Sequence, residues 1–135
     1  MQEEGFDRRR RFARVARRVD ESDGENAREN FLDSLDAITV FLGHAAAGGR
    51  EAFVRNSPAY ASGSMAIIRT AALFETDDFA DFLRNVPDAV AQGIITTRNI
   101  AAHSGYRSMD DDIFWNTLTI HLPPYLDAWR TSAQH

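Results

Sequence analysis

Apolar residues recur at intervals of three and four positions along most of the chain, which is the repeat of an amphipathic helix. The first apolar face follows Asn30 and comprises Phe31, Leu35, Ile38 and Leu42. Gly43 and the pair Gly48-Gly49 are expected to end this helix, because glycine tolerates the left-handed backbone of a helix C-terminus. A short segment around residues 51–54 follows.

The next two helices are predicted from their start signals. Ser57 and Pro58 combine an N-cap hydroxyl with a proline at the first helical position. The buried stripe of this helix is predicted to be Ala61, Met65, Ile68 and Ala72. Asp77-Asp78 then places negative charge at the positive end of a short helix. The apolar face of that short helix is Phe79, Phe82, Leu83 and Val86.

Two more helices are predicted in the second half of the chain. After Pro87, one is expected from Asp88 to about His103, with Ser104-Gly105 as its end. Its core side is Val90, Ile94 and Ala101.

The last predicted helix starts at a capping box. Ser108 and Asp111 are expected to form this box, with Asp110 and Asp112 favourable at the positive helix end. Its apolar positions are Ile113, Phe114, Leu118 and Leu122. Pro123-Pro124 is expected to stop the helix after Leu122.

The pattern as a whole predicts an all-α fold. No segment alternates with period two for long enough to form a sheet, so we expect an up-and-down bundle of about five helices. The chain has 135 residues and 44% hydrophobic content, which suits one core.

Residues 1–27 differ from this helical domain, which we place at residues 28–135. The segment is rich in arginine, balanced by acids, and poor in apolar residues, so a flexible or loosely helical extension is expected. Phe12, Val15 and Val19 fall on one helical stripe, and an arm that binds RNA phosphate or a partner is the alternative.

Composition limits the function. The formal net charge of −5 argues against broad electrostatic capture of nucleic acid, so any RNA chemistry needs a local cleft. The chain has no cysteine, which excludes disulfides and fits a cytoplasmic protein. No apolar run is long enough to span a membrane, and no signal peptide is expected. Neither a phosphate loop nor a zinc-protease motif occurs, so no cofactor or metal is expected.

One run combines three groups that could act on a phosphate. Arg98, Asn99 and His103 place a permanent cation, an amide and an imidazole near the end of a predicted helix, and Tyr106 follows. A guanidinium can hold a phosphate through two hydrogen bonds, and an imidazole can move a proton near neutral pH. Residues five apart on a helix are turned by about 140° and separated by about 7.5 Å, so one helix cannot complete the site. A second copy of the chain could complete the site with its own Arg98 and His103, and we therefore expect a homodimer.

Purely structural roles are the alternative for the same residues. Arg98 could form a surface ion pair with Asp88 or Glu75, and His103 could cap the negative end of its helix. Tyr106 could be a half-buried packing residue. Trp115 and Trp129 are expected to be core or interface aromatics, and the three aspartates 110–112 fit a helix start better than a metal site.

The run from Pro87 to Trp129 resembles the C-terminal half of the HEPN superfamily, specifically the HepT-like toxins. These proteins carry Arg, a polar residue, three further residues and His, then Gly-Tyr, a capped helix with Trp, and Leu-Pro. The matching positions here are Arg98-Asn99, His103, Gly105-Tyr106, Trp115 and Leu122-Pro123. Upstream, Phe53-Val54-Arg55-Asn56 and the helix through Ile67-Ile68 also resemble the family, so that the similarity covers about residues 29–130.

The resemblance implies an all-α homodimer that acts as a metal-independent ribonuclease toxin. Arg98 would bind the scissile phosphate, Asn99 would help to orient it, and His103 would act as general acid or base. The family's usual partner is an MNT nucleotidyltransferase antitoxin, which uses ATP to place AMP on a tyrosine after the histidine. Tyr106 matches that tyrosine, although two residues separate it from His103 where the family usually has one. The family's third-helix Gly-Glu-Ala is Arg69-Thr70-Ala71 here.

A second functional class stays open at this point. The acidic balance and the altered spacing between His103 and Tyr106 also fit a catalytically inactive helical protein that binds a nucleotidyltransferase. An unrelated all-α interaction module is the third interpretation.

Overall fold

A computed structural model describes residues 20–103 and 107–134 of the chain. The elements in chain order are α1 (Asp20–Ala46), α2 (Gly49–Ala52), α3 (Pro58–Glu75), a 3₁₀ turn (Asp77–Phe79), α4 (Ala80–Leu83), α5 (Asp88–His103), α6 (Asp111–Asn116), a π-helical segment (Thr117–His121) and α7 (Leu122–Gln134). These described residues contain no strand, and the all-α prediction is confirmed. None of the helices among them is both long and apolar enough to cross a bilayer.

Helix α3 lies at the centre of a helical bundle. It packs against α1 on one side and α5 on the other, while α7 crosses α1 and α4. The π-helical segment lies against α1 and α3 and closes the core between them. The position of α5, which holds the candidate site, is therefore set mainly by α3.

Helix α1 has the predicted apolar face but is longer than predicted. Phe31, Leu35 and Ile38 are fully buried. The described helix spans Asp20–Ala46, so it includes the last part of the segment predicted as an extension; residues 1–19 lie outside the described residues. Gly43 lies within the helix, which ends at Ala46, and the backbone then turns through Gly49 with φ of 78°.

The start of α3 is as predicted, but its buried stripe is not. Ser57 accepts a hydrogen bond from the backbone N–H of Tyr60, and Pro58 is the first helical residue. The buried face runs one residue earlier than predicted, through Tyr60, Ser64, Ile67 and Ala71, whereas Ala61, Met65 and Ala72 are exposed and Ile68 is half-buried. In a helix made mostly of small residues, alanine spacing does not distinguish one face from another, and the bulky Tyr60 ring decides which face turns inward.

An aromatic cluster fills the core beside this face. The Phe53 ring lies 4.9 Å from Tyr60 and 5.4 Å from Phe114, measured between ring centroids. Half-buried Trp115 joins the cluster, and Trp129 is buried further along, so both tryptophans pack against the core as expected. These ring contacts tie α3 to α6 across a long separation in sequence.

The short helix α4 and its 3₁₀ turn bury the face that the sequence predicts. Phe79 and Leu83 are buried, and Phe82 and Val86 are half-buried. The Phe31 ring lies 5.2 Å from Phe79 and 4.8 Å from Phe82, so this face packs directly on α1.

Two predictions about the last helix are wrong. The N-cap of α6 is Asp110, whose carboxylate accepts from the backbone N–H of Ile113, and Ser108 forms no capping box. Pro123 and Pro124 do not end the helix, which continues to Gln134. The backbone widens into a π-helical segment directly before them. Because a proline lacks an N–H and crowds the carbonyl four residues earlier, a wider turn at this point lets the helix pass through both prolines.

Gly63 gives a direct test of how closely α3 packs. A Cβ at Gly63 would lie 2.6 Å from Leu118 Cδ1 and 2.9 Å from Phe53 Cε1, both in the buried core. We expect Gly63→Ala to lower the free energy of unfolding by about 1–3 kcal/mol, measured by urea denaturation. The matched control is Gly43→Ala, where a Cβ meets nothing within 4 Å. There we expect a gain of up to about 1 kcal/mol from helix propensity. A gain at Gly63 equal to the gain at Gly43 would contradict the packing described.

Candidate functional site

The guanidinium of Arg98 is already engaged by protein groups. Arg98 lies on α5, and its Nη1 is 2.6 Å from Glu75 Oε1 at the end of α3. The Arg98 side chain is 22% exposed and that of Glu75 is 50% exposed. The ion pair anticipated from the sequence is thus formed with Glu75.

Asn99 is bonded to the same guanidinium. Its Oδ1 accepts a hydrogen bond of 2.8 Å from Arg98 Nε, so these adjacent residues turn their side chains toward each other. This contact fixes the side-chain amide of Asn99 with its oxygen directed at the Arg98 guanidinium. The NH₂ end of Asn99 is therefore the end directed away from Nε.

His103 is the last residue of α5 and its side chain is exposed. It lies in the last turn, where a cation is favoured by the helix dipole, as the structural interpretation anticipates. Among residues 20–103 and 107–134, no hydrogen bond or ion pair holds the imidazole. It shares a helix face with Asn99, four residues earlier. Tyr106, with Ser104 and Gly105, lies outside the described residues, so the placement of the tyrosine relative to His103 stays a prediction.

The structure brings together a second cluster that the sequence did not indicate. Tyr60 Oη donates a 2.8 Å hydrogen bond to Asp111 Oδ1, and Arg55 Nε lies 3.5 Å from the same oxygen. Arg55 Nη2 also donates to the Met109 carbonyl at 2.9 Å. These contacts hold the chain just before and at the start of α6 against the start of α3. The partners are more than fifty residues apart, so no local spacing could have revealed them.

All three consecutive aspartates have structural partners. Asp110 caps α6, Asp111 binds Tyr60 and Arg55, and Asp112 Oδ1 accepts from Arg50 Nε and Nη2 at 3.1 and 2.8 Å. Within the described ranges, no group of three or more His, Asp or Glu side chains is arranged to hold a metal ion. The aspartates therefore hold the start of α6 against the start of α3 and against α2.

A mostly apolar cleft of about 340 Å³ borders α5, the helix that carries the motif. It separates α5 from the π-helical segment and α7, and it is lined by Ala89, Val90, Gly93, Ile94, Thr97, Thr117, His121, Leu122 and Tyr125. Neither Arg98 nor His103 lines this cleft, although Thr97 places it one residue from Arg98. In the described part of the chain, the motif side chains therefore lie outside this cleft.

No protein-family model, curated protein or solved structure matches this chain. The residues of α5 and their surroundings are consequently the basis for assigning a function.

The Tyr60 contact makes a testable prediction about alkaline pH. Burial and the hydrogen bond to Asp111 raise the pKa of Tyr60 well above its ordinary value of 10.0. Above pH 10 the unfolded chain loses this proton while the folded chain keeps it, so stability must fall as pH rises. We expect a loss approaching about 1.4 kcal/mol per pH unit, measured by urea denaturation between pH 9 and 11.5.

The variant Tyr60→Phe isolates this effect, because every other titrating group is retained. We expect it to be less stable at pH 7 by about 1–2 kcal/mol, since Asp111 loses a hydrogen bond. Its stability should then fall less steeply than that of the wild type above pH 10. Parallel pH profiles for the two proteins would show that the contact with Asp111 is not maintained in solution.

Proposed function

We propose that this chain is a metal-independent endoribonuclease of the HEPN type, similar to the HepT-like toxins, acting in the cytoplasm. The observation that carries the proposal is the surface at the end of α5. A partly exposed guanidinium, an amide bonded to it and an exposed imidazole occupy the last two turns of one helix. Arg98 and His103 have the spacing of the family's motif.

The three side chains have distinct roles in the proposed reaction. Arg98 binds the scissile phosphate and stabilises the charge that develops on its oxygens. Asn99 orients that phosphate through its amide. The 2′-oxygen of the ribose attacks phosphorus, its proton passes to a base, and the bond to the 5′-oxygen breaks as that oxygen gains a proton. An imidazole such as His103 can serve as the base toward the 2′-hydroxyl or as the acid toward the leaving oxygen.

A homodimer is part of this proposal. The rotation of about 140° between Arg98 and His103 prevents one helix from directing both side chains at one phosphate. A second copy packed against the first would supply the missing groups. The apolar cleft that borders α5 supports a partner that packs along this helix.

The proposed regulatory partner is an MNT-type nucleotidyltransferase antitoxin. The Tyr106 hydroxyl would attack the α-phosphorus of ATP, losing its proton as pyrophosphate leaves, and the attached AMP would place a bulky anion near Arg98. This step rests on the resemblance alone, because Tyr106 lies outside the described residues.

One observation favours a second candidate function. Both Glu75 and Asn99 bind the Arg98 guanidinium, which is what a purely structural arginine would show. A catalytically inactive helical protein that keeps the nucleotidyltransferase partner is therefore the alternative.

Substitution of the two motif residues distinguishes these candidates. We expect Arg98→Ala and His103→Ala each to lower the rate of RNA cleavage by about 10²–10⁴-fold, measured with the purified protein. Matched controls are Arg130→Ala, another arginine in a surface ion pair, and His44→Ala, another histidine in the last turn of a helix. Cleavage by both motif variants at the wild-type rate would exclude the proposed reaction, and no cleavage by any of the proteins would favour the inactive partner.

Mixing the two inactive variants tests the shared site. If a dimer combines groups from both copies, a mixed dimer of Arg98→Ala and His103→Ala keeps one Arg98 and one His103 in the shared site. We expect activity to reappear after the two are unfolded and refolded together, and light scattering to give twice the mass of the chain. A monomer that cleaves RNA at full rate would disprove the dimeric site.

Co-expression with an MNT nucleotidyltransferase encoded beside the chain tests the regulatory step. We expect intact-mass spectrometry to show the mass of one adenylate on the wild type and none on Tyr106→Phe, with cleavage activity lost only when adenylate is present. The control is Tyr125→Phe, which should still be modified. Adenylate on Tyr106→Phe would place the acceptor elsewhere.

A further inference from the structure

We propose that Glu75 is a positioning residue that competes with the RNA phosphate for Arg98. Glu75 holds the Arg98 guanidinium in place while no RNA is bound. Because the carboxylate occupies the guanidinium, it also lowers the affinity of the protein for RNA. The inference rests on the proposed function and names a regulator of the same site.

The argument starts from the two edges of a guanidinium. A two-point grip on a phosphate uses either Nη1 with Nη2 or Nε with Nη2. In Arg98 the first edge contains Nη1, which binds Glu75, and the second contains Nε, which binds Asn99. A phosphate that grips the first edge therefore competes with Glu75 for Nη1, and one that grips the second edge competes with Asn99 for Nε.

The two displacements differ in electrostatics. Replacing the neutral Asn99 leaves the Glu75 carboxylate on the same cation as the phosphate, and these like charges repel. Replacing Glu75 removes that repulsion but breaks an ion pair. Since Arg98 and Glu75 are 22% and 50% exposed, the pair is weak and screened by salt, so a phosphate can compete with it. Glu75 thus raises the threshold for RNA binding without blocking it.

The place of Glu75 in its helix supports a role beyond helix stability. It is the last residue of α3, and no basic residue lies in that last turn. A carboxylate at a helix C-terminus is disfavoured by the helix dipole. Its main favourable partner in the described structure is Arg98 on the neighbouring helix.

A purely structural tie between α3 and α5 is the competing explanation, and steady-state kinetics separate the two. We expect Glu75→Gln to lower KM for a single-stranded RNA oligonucleotide by about two- to fivefold, with kcat not raised. The gain should shrink as salt is added, because salt already weakens the ion pair in the wild type. Glu75→Asp, whose carboxylate is one methylene shorter, should lie between the wild type and Glu75→Gln.

The matched control is Asp36→Asn. Asp36 is also a surface carboxylate paired with an arginine, at 2.7 Å from Arg130 Nη1, and the substitution changes the net charge equally. We expect it to leave KM unchanged. An equal fall in KM for both variants would mean that only net charge matters and would overturn the proposal.

A binding measurement that needs no catalysis completes the test. Inorganic phosphate is titrated into each protein while the Nε–Hε resonance of Arg98 is followed by NMR. We expect Glu75→Gln to respond at two- to fivefold lower phosphate concentration than the wild type and Asp36→Asn to match the wild type. A lower melting temperature for Glu75→Gln with unchanged KM and unchanged phosphate response would identify a structural tie and overturn the proposal.

These outcomes separate the proposal from the function on which it rests. If Arg98→Ala cleaves RNA like the wild type, the ribonuclease assignment is wrong, and the phosphate titration still decides whether Glu75 competes for Arg98. If Arg98→Ala is inactive while Glu75→Gln changes neither KM nor the titration, the ribonuclease assignment stands and the role of Glu75 is wrong.

Discussion

The buried contact of Tyr60 with Phe53 and Phe114 sets the rotation of α3 about its axis. That rotation determines which residues of α3 face α1 and which face α5, because α3 lies between them. The Tyr60 hydroxyl extends the same constraint to Asp111 at the start of α6. One side chain therefore links the central helix, the aromatic core and the start of α6.

This arrangement gives the candidate site a rigid base and an open surface. Helix α5 is held by α3, and Met109 and Asp111, just before and at the start of α6, are held by Arg55 and Tyr60. Arg98 turns toward Glu75 on α3, whereas His103 is exposed at the end of α5. Because one helix does not direct both side chains at one ligand, the proposed chemistry calls for a second copy.

The observed ion pair of Arg98 conflicts with the role proposed for this side chain. Its ion pair with Glu75 joins α5 to α3, and the same guanidinium is the group that the proposed reaction needs for phosphate. A partly exposed ion pair is weak enough for both requirements to be met in turn. The observed structural contact and the proposed catalytic role therefore concern the same side chain, and a substitution of Glu75 can separate them.

The sequence by itself determined the helical class, the apolar face of α1, the start of α3 at Ser57-Pro58 and the limits of α5. These features depend on local chemistry: the period of large apolar residues, a capping hydroxyl and the position of prolines and glycines. The neighbouring positions of Arg98, Asn99 and His103 on one helix follow from the same local geometry.

Only the tertiary structure decided the features that depend on distant partners. The buried face of α3 follows from aromatic packing with Phe53 and Phe114, since its alanines carry little directional information. Pro123-Pro124 lie within a helix because the preceding segment widens, which their sequence does not specify. The pairing of Arg98 with Glu75 rather than Asp88 was likewise decided by how α5 crosses α3, because an ion pair forms where packing places two charges and not where their spacing in sequence is short.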